Sequence, residues 1–126
     1  MENRLYGFLL DDNILFNIAN RKLLHYCDEL SENSMFFKIV SLNEIQSRLL
    51  TFLLLNRKEN VINKDDILKS VWDEFSLSSS NQRLWQTINE LRKKLSSIGL
   101  PADFIENVHG VGYSVCNSKV HSLNIN

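Results

Sequence analysis

The chain has one proline, four glycines and two cysteines in 126 residues. So few backbone breakers exclude a collagen-like or low-complexity chain. Cys27 and Cys116 are far apart and lack CxxC spacing, which fits thiols of a reducing compartment better than a disulfide framework or a zinc site. No apolar run approaches the roughly 20 residues that span a bilayer. The start lacks a charged segment followed by an apolar core and a cleavage site, so no secretory signal is expected. An excess of charge is also missing: 14 basic and 15 acidic side chains give a net −1, unlike a strongly electrostatic nucleic-acid binder. What is left is an ordinary globular composition, at a length that suits one domain with one core.

The small charge is unevenly spread. Residues 1–42 carry 4 basic and 6 acidic side chains, residues 43–80 carry 5 and 6, and residues 81–126 carry 5 and 3. A modestly positive end on an acidic body is compatible with DNA binding that weakens steeply with salt.

Catalytic patterns are scarce as well. His25 with Cys27, His109 with Cys116, and His121 show neither metal-ligand spacing nor a nucleophile elbow. Gly110-Val111-Gly112 is only GxG and reads as a turn. The expectation is no enzyme, no metal, no cofactor and no small-molecule substrate.

The most informative stretch is Ser80 to Leu95. Leu84, Ile88, Leu91 and Leu95 are spaced 4, 3 and 4, which a helix stacks into one apolar stripe. The opposite face carries Gln82, Gln86, Asn89 and Lys93 at the same spacing. A carboxamide offers a donor and an acceptor together, the pattern that adenine presents in the major groove. Arg83, Thr87, Arg92 and Lys94 flank this face as candidates for phosphate contact. Taken alone, the face also suits an ordinary solvated helix.

Two further helices precede it. Asn43, with Gln46 three residues on, reads as a capping box for a helix carrying Ile45, Leu49, Phe52 and Leu53. Asn63 caps a second helix with Ile67, Leu68, Val71 and Trp72 on its apolar side. Lys64, in its first turn, is either a phosphate contact or a solvated lysine. Ser79 or Ser80 caps the third helix, and Gly99 ends it.

Short apolar runs at Leu5–Leu10, Ile14–Ile18, Lys22–Tyr26 and Phe36–Val40 predict an antiparallel four-stranded sheet over residues 1–40. Phe104–Val108 and Val111–Val115, joined at His109-Gly110, predict a closing hairpin over 104–116. Residues 117–126 read as a polar tail or the start of a linker. The expected fold is therefore α+β: one domain over 1–116, with its three helices between 42 and 95.

These pieces resemble the OmpR/PhoB-type winged helix-turn-helix domain. Leu42-Asn43-Glu44-Ile45-Gln46 with Leu49-Leu50 is similar to that family's LTxxE–LL opening. Ile62 to Leu68 followed by Val71-Trp72 is similar to its second helix, and Ile88 to Leu95 to its IxxLRxKL recognition helix. Ile105 to Tyr113 is similar to its IxTVRGxGY wing. The resemblance implies a transcriptional regulator of double-stranded DNA, with helix 81–95 in the major groove and wing residues His109, Gly110 and Tyr113 on the adjacent minor groove or backbone. It implies a phosphate contact for Arg92, and a polymerase-contact loop of Asp73, Glu74, Phe75, Ser76, Leu77 and Ser78. It also implies head-to-tail dimers on direct repeats, A·T-rich if the carboxamides read adenine.

Several residues depart from the family pattern. His109 replaces the usual basic wing residue, Ser114 follows where arginine is common, Glu90 takes a commonly basic position, and Trp85 a small polar one. The alternative these favour is a winged helix that binds a partner protein instead of DNA. Asp11-Asp12 imitates the acidic pair of a receiver domain but reads as a hairpin turn, and no receiver is expected before residue 1. A DNA-binding domain placed first resembles the ToxR/CadC-like branch. That implies a cytoplasmic domain, with the transmembrane segment of an inner-membrane regulator outside this chain.

Overall fold

The computed structural model describes residues 4–28, 35–72 and 80–125. Strands β1 (Arg4–Leu10), β2 (Ile14–Asn17), β3 (Lys22–Asp28) and β4 (Met35–Ser41) form consecutive antiparallel pairs. Consecutive left-handed residues, Asp11 at φ 52° and Asp12 at φ 69°, make the first turn, where short polar side chains tolerate that conformation. Phe8 lies opposite Phe16, and Phe16 opposite Leu23, so buried residues of three adjacent strands stack into a row across the sheet.

The expected polar tail is corrected here. Val120–Ile125 forms a further strand, β8, antiparallel to β1, and the sheet has five strands in the order β4-β3-β2-β1-β8. Composition hid it because an edge strand needs one paired side and little apolar content. Val120 is the buried residue of this strand, while the Asp11 amide donates to the Lys119 carbonyl at 2.9 Å and starts the pairing.

Helix α1 (Glu44–Leu55) packs Leu49, Leu50, Leu53 and Leu54 into the core with no exposed surface. Its capping box is complete: Gln46 N–H donates to Asn43 Oδ1 at 2.8 Å, and Asn43 N–H donates to Gln46 Oε1 at 3.0 Å. Helix α2 (Lys64–Val71) starts at the Asn63 cap and ends on Trp72, which is wholly buried. Helix α3 (Asn81–Ser97) starts at Ser80 and is held by Leu84, Ile88, Leu91 and Leu95, each at most 2% exposed. Gly99, at φ 111°, lets the chain turn away after α3.

The expected hairpin is present as β6 (Ile105–Val108) and β7 (Gly112–Val115). A two-residue strand, β5 (Ile62–Asn63), pairs with β7 and completes a three-stranded sheet, β5-β7-β6. This small sheet ties the entry of α2 to the hairpin and sets the hairpin beside α3. Among the described residues, three helices, a sheet over them and a hairpin after them make a winged helix-turn-helix. Among the described residues no helix is long and apolar enough to cross a membrane.

Candidate nucleic-acid interface

The buried leucine stripe fixes the rotation of α3. Gln82, Gln86 and Lys93 are consequently exposed, and Asn89 is half-buried on the same side. Arg83 and Glu90 are also exposed. A carboxylate at Glu90 repels phosphate but accepts from a cytosine N4 amine.

The hairpin tip lies next to this face. The Val111 amide donates to the Val108 carbonyl at 3.0 Å, closing a turn in which Gly110 has φ 75°. His109 and Gly110 are exposed at the tip. A cleft of about 200 Å³ between α3 and the wing is bordered by Lys64, Asn81, Trp85, His109 and Tyr113. Lys64, half-buried at the start of α2, thus joins the same surface, its amide donating to the Val111 carbonyl at 3.0 Å. Trp85 is 54% exposed there, an apolar plate beside polar neighbours.

Three expected contacts turn out to be placed differently. Thr87 is only 8% exposed, and its hydroxyl donates to the Arg83 carbonyl at 2.8 Å, so it faces the scaffold. Its position three residues after Leu84 and four before Leu91 already carried that signal. Lys94 points away from the face that carries Gln82, Gln86 and Lys93: Nζ donates to the Ser41 carbonyl and to Gln46 Oε1, both at 2.8 Å. It braces α3 against β4 and the α1 capping box. A Lys94→Met variant is therefore expected to lose about 1–2 kcal/mol of stability in urea unfolding, with the salt slope of DNA binding unchanged. A reduced slope at unchanged stability would return Lys94 to a phosphate role. Tyr113 is 8% exposed, so the ring packs in the core and only its edge of the cleft is available. Burial pushes its phenol above the ordinary value of 10.0, and the charge of Arg92 pulls the other way.

Arg92 sits at the junction of α3 and the wing. Nε donates to the Ile105 carbonyl at 3.0 Å, Nη2 to Asn107 Oδ1 at 2.9 Å, and Nη1 to Asn89 Oδ1 at 3.3 Å. Three of the five guanidinium N–H groups are used in these bonds, which leave the other two uncommitted. Asn107 was given no role by sequence reasoning, because its contact with Arg92 spans 15 residues and has no periodic signature. The expected polymerase-contact segment, Asp73 to Ser78, lies outside the described residues. Among the described residues no group of three His, Cys, Asp or Glu side chains could hold a metal ion.

A family model described as "Transcriptional regulatory protein, C terminal" matches residues 38–115. The chain is 38% identical over 60 residues to the sensory transduction protein BceR of Halalkalibacterium halodurans, covering 48% of this chain and 25% of that protein. It is 29% identical over 103 residues to the response regulator protein GraR of Staphylococcus epidermidis, covering 78% and 45% respectively. The solved DNA-binding domain of E. coli CadC aligns over 94% of this chain and 99% of that one, with a TM-score of 0.70 and 21% identity. The last likeness is one of fold. The chain spans 25% of that BceR and 45% of that GraR.

Proposed function

The chain belongs to the family of transcriptional-regulator C-terminal domains matched over residues 38–115, whose members are DNA-binding transcription regulators and not enzymes, and from that premise we propose how it reads DNA. Helix α3 lies in the major groove with Gln82, Gln86, Asn89 and Lys93 toward the base edges. His109 and Gly110 bring the wing to the neighbouring minor groove or backbone. Arg83, Lys64 and the two remaining N–H groups of Arg92 take phosphates. The observation that carries this reading is the row of amides on α3, Gln82 and Gln86 exposed and Asn89 half-buried, aimed outward by the buried stripe from Leu84 to Leu95.

The weak net charge sets the affinity regime. Three phosphate contacts per copy, from Lys64, Arg83 and Arg92, imply a slope of about −3 in log K against log salt. Such a modest electrostatic contribution favours paired copies on A·T-rich direct repeats, because linked binding raises effective concentration. Contact with RNA polymerase through residues 73–78, and tethering to the inner membrane from the cytoplasmic side by a segment outside this chain, belong to the same proposal. Selection of bound sequences from a random duplex pool, followed by a salt titration, tests it. The expected result is an enriched motif with log-linear salt dependence. A folded protein that binds no duplex even at low salt would instead be a protein-binding winged helix, the reading that Glu90 and His109 favour.

A further inference from the structure

We propose that Arg92 and Asn107 form a clamp that decides which hydrogen-bonding edge Asn89 shows to DNA, which makes Asn107 specificity-determining although it touches no base. The inference rests on the reading that α3 enters the major groove. It adds a donor-only reader and a residue on the wing that controls it.

An unrestrained asparagine amide can turn over and present its donor and acceptor in either order. Asn89 is restrained. Its Oδ1 accepts from Arg92 Nη1 at 3.3 Å, and turning the amide over would set its NH2 group against a guanidinium that has only donors. The oxygen is thereby held toward Arg92, and the two Nδ2 hydrogens are what remains for the groove. Bidentate reading of adenine needs that oxygen free to accept from N6. Two donors instead match adjacent acceptors, and guanine presents N7 and O6 side by side. The residue therefore favours guanine where a free carboxamide would favour adenine.

The Arg92–Asn89 contact is long for a charge-assisted hydrogen bond, so it depends on where the guanidinium is held. Two shorter bonds hold it: Nη2 to Asn107 Oδ1 at 2.9 Å and Nε to the Ile105 carbonyl at 3.0 Å. Both acceptors lie on β6. Removing the Asn107 oxygen frees one arm of the fork, lets the guanidinium swing, and releases the Asn89 amide. Asn107 is exposed, so its truncation leaves the core untouched.

The test is competition binding against duplexes varied one base pair at a time, with the wild type, Asn89→Ala, Asn107→Ala and Asn107→Asp. Asn89→Ala identifies the base pair that Asn89 reads. At that pair the wild type is expected to prefer guanine over adenine by about tenfold, and Asn107→Ala to lose most of that preference there and nowhere else. Asn107→Asp keeps an acceptor for Arg92, so it should keep the preference even if added charge lowers affinity on every duplex. Normal binding with an unchanged profile in Asn107→Ala, or a wild-type preference for adenine at that pair, overturns the inference alone. Failure of the wild type to bind any duplex overturns both the inference and the reading beneath it.

Discussion

A Gly112→Ala protein is expected to be less stable than its parent by about 2–4 kcal/mol and to lose most of its DNA affinity. A Cβ at Gly112 would stand 1.9 Å from the Ile62 carbonyl oxygen and 3.0 Å from the Lys64 amide nitrogen. Both are backbone atoms, so no side chain can swing aside. Strand β5 would have to leave β7, breaking the Ile62–Tyr113 and Asn63–Gly112 pairs. Lys64 and the wing would then lose their fixed relation to α3. Gly110→Ala is the control, because nothing lies within 4 Å of a Cβ there and only the φ of 75° opposes it. That variant should lose about 1 kcal/mol and keep the wing. Urea unfolding and duplex binding of the two proteins check this; equal losses would mean that contact with β5 is not what requires glycine at 112.

Gln86→Ala is expected to weaken binding to the preferred duplex by about 1–3 kcal/mol while leaving scrambled duplex nearly unaffected. Gln86 is exposed at the middle of the outward face of α3, four residues after Gln82 and three before Asn89. Its amide is not among those held by Arg92, so it can offer its donor and acceptor to adenine together. Binding curves on both duplexes at one salt concentration decide the matter. Equal losses on the two would assign Gln86 to nonspecific backbone contact.

The helices were legible because their determinants are local. Asn43 with Gln46, Asn63, and Ser79 or Ser80 announce helix starts in the sequence, and in the structure Asn43, Asn63 and Ser80 are the caps. The stripe from Leu84 to Leu95 gave the rotation of α3, hence which amides face outward. What escaped reading depends on contacts distant along the chain. Lys94 meets Ser41 and Gln46 across 53 and 48 residues, and Arg92 meets Ile105 and Asn107 across 13 and 15. Helical periodicity says that such side chains flank a face, not that another element already holds them. Strand β8 was hidden for a related reason, since its partner β1 lies at the other end of the chain.

DNA is expected to sit on the outward side of α3 together with the wing tip. Amide and side-chain NMR shifts followed during titration with the selected duplex test it most directly. The largest changes are expected on Gln82, Gln86, Asn89 and Lys93, with a second group at His109 and Gly110, while the β4-β3-β2 side of the five-stranded sheet stays still. Changes centred on that sheet with α3 unmoved would contradict it.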